Sequence, residues 1–228
     1  MRQAFGVDHT RSSWVGLRFA ALLVIVAASL IGAGSGSEAK GREQKTAGLP
    51  SSDDLPGFQQ TTPLWAWADF CNRHRSECAS DAAEPSVVRL TKATWDAINA
   101  VNRHVNATIK PLSDQDHWGM VDRWDLPEDG YGDCEDYQLL KRKMLAEKGL
   151  PRRAMRMTVV IDDKREGHAV LMVRTDRGDF ILDNQRAAIL PWKDTGYVFV
   201  KREGQNSRAW ISLETDASPV ATATSDEE

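Results

Sequence analysis

The sequence predicts an α+β domain. Segments with helical periodicity come first, segments that alternate with period two follow after Pro151, and polar stretches without periodicity flank both. Between about residues 63 and 213 the chain carries seven of its eight tryptophans, enough apolar bulk for one core. No internal repeat is present. The 29 Lys and Arg against 33 Asp and Glu leave a net charge of -4, which offers none of the basic surface a nucleic-acid partner requires.

In chain order, Arg2, Arg11 and Arg18 precede the apolar run "FAALLVIVAASLI", and the small residues "GAGSGS" follow. That order of charge, apolar run and small residues is the pattern of an export signal. Extended to Val15 and Ala33, the run approaches spanning length, so residues 1–36 are expected to be a signal peptide or an uncleaved N-terminal anchor. Either way the remainder is expected in the periplasm or secreted. Residues 37–62 and 214–228 read as a disordered linker and a disordered acidic tail.

Outside the cytoplasm an odd cysteine count raises the question of which two pair. Cys71 and Cys78, in "FCNRHRSEC", are spaced for a small disulfide loop contributing roughly 2 to 3 kcal/mol. A metal site using His74 is the competing reading, although one imidazole and two thiols lack a second ligand pair. With 71 and 78 paired, Cys134 is a free thiol flanked by acids.

"TKATWDAINAVNRHVNATI" predicts a helix capped by Thr91, with Trp95, Ile98, Val101 and Val105 on one stripe. Pro111, Gly119, Pro127, Gly130 and Gly132 then interrupt any period. "CEDYQLLKRKMLAEKGLP" predicts a second helix with Asp133 as N-cap, Tyr137, Leu140 and Met144 on one side, basic residues in its body, and Gly149 and Pro151 at its end. Cys134 thus falls in a first helical turn, where free N–H groups and the helix dipole favour a thiolate. Asp133, Glu135 and Asp136 oppose that charge. A histidine must offset them, or the acids serve as caps or hold a cation.

"MRMTVVI" (155–161), "HAVLMVR" (168–174) and "DFILDN" read as strands. If Thr175 pairs with Gly178 across a two-residue turn, Asp183 lies opposite Val170 and diagonal to His168 on the same face. Cysteine at a helix start, with histidine and aspartate on neighbouring strands, supplies nucleophile, general base and orienting group. His117, in "DHWG", is the rival base. Trp118 and Trp124, in the loop before the motif, are candidates to line the cleft or to donate an indole N–H to an oxyanion.

The strings "DHWGMVDRWDLPEDGYGDCEDYQLLKRKMLAEKGLPRRAMRMTVV" and "EGHAVLMVRTDRGDFILDNQRAAILPW" resemble the bacterial transglutaminase-like cysteine proteinases, with weaker similarity upstream. The order GDCEDY, GHAVL, LDN carries the resemblance. It implies a papain-like transglutaminase core over residues 63–213, with a nucleophile helix packed on an antiparallel β-sheet, and a Cys134, His168 and Asp183 triad. The family includes periplasmic proteases that release surface adhesins under a membrane receptor that sequesters them. It also implies calcium bound through acids flanking the cysteine, here Asp133, Glu135 and Asp136; no organic cofactor is expected. Alternatives are a transglutaminase-like acyltransferase with the same triad and a non-catalytic binding module of the same fold.

Overall fold

The computed structural model describes residues 48–205 and 209–213. The expected signal or anchor segment, residues 37–47 of the expected linker, and the tail 214–228 lie outside them. Among the described residues no helix is long and apolar enough to cross a membrane.

Helix α1 (Trp65–Arg73) buries Ala66, Trp67, Phe70 and Cys71. Cys71 is bonded to Cys78, which disposes of the metal reading for that pair; His74 instead sits 2.9 Å from Asp125. Helix α2 (Lys92–Thr108) begins where its cap predicts, with Thr91 Oγ1 accepting the Thr94 N–H at 3.1 Å. Its stripe is also as expected, with Ile98, Val101 and Val105 buried and Trp95 packed beside the core.

The loop after α2 is partly ordered by backbone pairing. Strand β2 (Lys110–Pro111) lies parallel to β3 (Tyr131–Gly132), and the five-residue helix α3 (Asp114–Trp118) falls between them in sequence. Helix α4 (Cys134–Glu147) follows β3 directly. It is not the one-sided helix its pattern suggests. Glu135, Asp136, Gln138, Lys141 and Arg142 are buried along with Tyr137, Leu139 and Leu145, because α4 packs between α2 and the sheet. Arg142 survives burial by pairing with Glu203 at 2.7 Å, and Tyr137 Oη donates to Ile109 O at 2.7 Å.

The sheet's central hairpins match the period-two reading. Strands β4 (Met155–Ile161), β5 (Gly167–Thr175) and β6 (Gly178–Leu182) form consecutive antiparallel pairs. With β1 (Gln60–Thr61), β7 (Leu190–Pro191), β8 (Val198–Glu203) and β9 (Trp210–Ser212) they make a sheet of order β1-β9-β8-β4-β5-β6-β7. Met155, Met157, Leu171 and Val173 face the helices, whereas Val160, Val170, Met172 and Ile181 form a second cluster on the other face. The fold is thus a mixture of helices and an antiparallel sheet.

The linker expectation for residues 37–62 needs correction over its described part. Leu55 is buried in that second cluster, its N–H donates to Asp179 Oδ2 at 2.8 Å, and the Ser52 N–H donates to Arg177 O at 2.7 Å. Scattered apolar residues among polar ones leave no periodic signal, yet burying Leu55, packing Leu49 against the main core and pairing the adjacent backbone hold the segment. Gly178 lies beneath it with φ +96, and a Cβ there would fall 2.3 Å from the Ser52 carbonyl group.

Candidate active site

Cys134 opens α4, and its position follows from the turn before it. Asp136 folds back beneath Gly132, where an added Cβ would lie 2.6 Å from Asp136 Oδ2 and 2.8 Å from its Cβ. Only glycine fits that approach. Asp133 occupies the N-cap position but does not cap with its side chain. Its Oδ2 accepts the Asp114 N–H at 3.1 Å, and its Oδ1 is buried without a partner.

The Cys134 thiol donates to Glu135 Oε2 at 3.3 Å and accepts the Ala169 N–H at 3.4 Å. Ala169 is free to donate because β6 stops at Leu182 opposite Leu171, one rung short of it. Burial pushes the thiol well above its ordinary range, the Glu135 and Asp133 charges add to this, and the Ala169 N–H pulls the other way. Burial and the neighbouring carboxylates thus work against a thiolate here, as the flanking acids lead one to expect, while the Ala169 N–H works for it.

His168, immediately before Ala169, is buried with Nε2 2.9 Å from Asp183 Oδ1. The hairpin register explains this, since Thr175 pairs with Gly178 as anticipated and carries Asp183 to the face of His168. Burial pushes the Asp183 carboxyl up, but His168, the Tyr197 hydroxyl at 2.7 Å and the Gln185 N–H at 2.9 Å outweigh it and hold the group below its usual range. An ionised Asp183 only accepts, so Nε2 carries the hydrogen and Nδ1 is the ring's acceptor. The Gln185 amide nitrogen lies 3.4 Å from Nδ1. The sulfur's own hydrogen-bond partners are Glu135 and Ala169 rather than the ring.

The acids beside the cysteine gather with two that sequence reasoning missed. Carboxylate oxygens of Asp114, Asp122 and Glu135 lie within 4.8 Å of one another, as do those of Asp114, Asp133 and Asp136. Burial and the charges of Asp133 and Asp114 push Asp136 up to about 8, opposed by the Asp125 N–H at 2.8 Å. Burial and Asp133 likewise push Glu135 up, and burial pushes Asp114 up against the Arg123 N–H it accepts. Carboxylates so crowded, with one oxygen orphaned, are an all-oxygen donor set that fits a hard divalent cation such as calcium and not zinc. Asp114 and Asp122 lie 20 and 12 residues before Cys134, in "SDQD" and "VDRW", where nothing local marks them as ligands.

The tryptophan expectations divide. Trp124 is buried against Trp210, and its indole N–H donates to Asp122 Oδ1 at 3.0 Å, so it neither lines a cleft nor has a donor to spare. Trp118 is 42% exposed, with His117 stacked on its ring and the Arg123 guanidinium over it. His117 pairs with Asp129 at 2.8 Å instead of with the cysteine. Tyr197 and Gln185, the missed partners of Asp183 and His168, become neighbours only through the fold; Gln185 alone had a local clue, two residues beyond Asp183.

A helix-borne thiol beside a histidine–carboxylate pair is an arrangement suited to thiol nucleophilic chemistry. The model of the bacterial transglutaminase-like cysteine proteinases matches residues 58–218, well over half of the chain. The chain belongs to this family and is a transglutaminase-like cysteine peptidase. Among solved structures, Legionella pneumophila LapG is 25% identical, with a TM-score of 0.45, over 52% of this chain and 68% of its own. Its calcium-bound form is 20% identical, with a TM-score of 0.46, over 72% and 88% of the two chains. The family assignment rests on the family match. No curated protein matches the chain.

Proposed function

We propose that the protein is an exported endopeptidase in which Cys134 is the nucleophile, His168 the general base and Asp183 its orienting partner, carried by a papain-like core. The observation that carries this reading is adjacency: the residue donating its N–H to the Cys134 sulfur directly follows the histidine paired with Asp183. His168 Nδ1 takes the thiol proton as the side chain turns from Glu135. The sulfur then attacks a peptide carbonyl carbon, and first-turn amides of α4 accept the developing oxyanion as hydrogen-bond donors. The imidazolium returns its proton to the departing amine. Water, activated by the same nitrogen, hydrolyses the thioester.

Asp114, Asp122, Asp133, Glu135 and Asp136 would hold a calcium ion. The ion's contribution, when bound, is positive charge that neutralises the carboxylates opposing a thiolate. The export pattern at the N-terminus supports a periplasmic or secreted setting, where a protein at the cell surface or in the periplasm would be the substrate; a membrane receptor as sequestering partner is suggested by the family resemblance alone.

N-terminal proteomics of extracellular and periplasmic proteins, comparing cells with the native protein and Cys134→Ala, tests the reading. New N-termini that vanish in the variant are expected. Unchanged cleavage in Cys134→Ala overturns it.

A further inference from the structure

Three amide side chains tie down the segment that follows β6. Asn106 donates to Asp183 O at 2.8 Å and to Arg186 O at 3.4 Å, Asn102 donates to Ala187 O at 3.2 Å, and Gln138 donates to Asn184 Oδ1 at 3.1 Å. The asparagines project from α2 and the glutamine from α4, so both helices grip the stretch carrying Asp183. Each amide has spent its nitrogen there. The oxygens of all three, Asn102 Oδ1, Asn106 Oδ1 and Gln138 Oε1, are buried without a partner.

Lys141 is the complementary oddity. It is 0% exposed, and its Nζ, with three hydrogens, has no hydrogen-bond partner. Fully enclosed lysines are rare without a paired charge. Cys134, Gln138 and Lys141 are spaced i, i+4, i+7, so they share one stripe of α4, with Lys141 two turns behind the thiol. Three orphaned acceptors on α2 and α4 and one orphaned triple donor on α4, the latter within range of the Asp183 charge, match in number and in chemistry.

We propose that Lys141 is a positioning residue: its ammonium is the hub that engages the three amide oxygens, through buried water where the reach requires it, and thereby holds the Asp183-bearing segment in register with His168. The electrostatics agree. Burial pulls the Lys141 ammonium down to about 7, and the Asp183 carboxylate is the charge that works to keep it protonated. A cation on the α2 and α4 side of Asp183 complements the His168, Tyr197 and Gln185 contacts to its carboxylate. Such a network specifies position more than it adds stability.

This inference rests on the reading of Asp183 as the orienting partner of His168, and the test separates the two. Using the full chain, NMR follows the His168 Nε2–H resonance and the Lys141 ammonium resonance, while iodoacetamide measures Cys134 alkylation. The comparison covers the native protein, Asp183→Asn and Lys141→Met. In Lys141→Met the His168 resonance is expected to shift and alkylation to slow by about tenfold, in the range lost when a supporting residue behind an active side chain is removed. In Asp183→Asn the Lys141 signal is expected to move.

If Asp183→Asn alters neither the His168 resonance nor alkylation, the triad reading fails. If it alters both while Lys141→Met matches the native protein, only the role of Lys141 is overturned. Should Lys141→Met not fold, the Lys141 resonance decides alone: one that does not respond to Asp183→Asn sinks the proposal.

Discussion

The backbone N–H of Ala169 meets the Cys134 sulfur at 3.4 Å, in the gap left where β6 ends one rung short of it. That contact links the two halves of the site. The helix brings the thiol, the hairpin brings His168 and Asp183, and a missing ladder partner in the sheet is where they join.

Removing the supports of Asp183 separates orientation from structure. Asp183→Asn is expected to lower kcat by roughly 10³-fold or more, as when a triad aspartate loses its charge. Tyr197→Phe deletes one hydrogen bond to an ionised carboxylate and is expected to cost about 2 kcal/mol of stability with a smaller loss of activity. Denaturation midpoints and initial rates on one peptide substrate report both; equal losses of activity in the two variants count against the assignment of roles.

Gly132→Ala places a methyl group against Asp136 Oδ2 and Cβ. Overpacking at this turn is expected to cost about 1 to 3 kcal/mol and to displace Asp136 from the acidic cluster. A lowered melting temperature together with weakened calcium dependence checks it. Gly130→Ala, where a Cβ meets nothing within 4 Å but φ is +88, separates backbone strain from displacement of the acid.

Asp136, raised to about 8 in the folded chain, makes the metal-free protein lose stability with rising pH. Between the unfolded value near 3.8 and the folded value, the native state binds the extra proton, so its advantage is present in acid and disappears as pH rises through about 8. In chelator the melting temperature is expected to fall by several degrees between pH 5 and pH 9, and calcium to remove most of that fall. A flat profile in chelator, unchanged by calcium, removes both the crowding and the ion from the account.

The Cys71–Cys78 loop is expected to contribute about 2 to 3 kcal/mol. Cys71→Ser with Cys78→Ser is expected to lower the denaturation free energy by that amount while leaving Cys134 alkylation close to native. A large change in alkylation would instead show that the loop shapes the site.

Much of this was readable along the chain. Thr91 announced α2, alternation marked β4 to β6, and the turn between Thr175 and Gly178 was enough to bring Asp183 to His168, because strand pairing obeys a period of two. Local signals failed where tertiary packing overrode them. The basic residues in the body of α4 carry no local sign of burial, yet Lys141 and Arg142 are enclosed between α2 and the sheet. Leu55 reads as linker because scattered apolar residues have no period. Trp124 read as a cleft candidate although its indole N–H is occupied by Asp122.

By itself the sequence pointed to a thiol at a helix start, to Cys71 and Cys78 as either a disulfide or a metal pair, and to a hairpin register that joins histidine to aspartate. Each of these follows from spacing, and spacing is a local property of the backbone. Only the tertiary structure decided the thiol's resting partners, the addition of Asp114 and Asp122 to the flanking acids, and the burial of Lys141 behind the site. Those depend on segments distant in sequence crowding into one low-dielectric volume, where desolvation and mutual charge outweigh any preference a single helical turn can express.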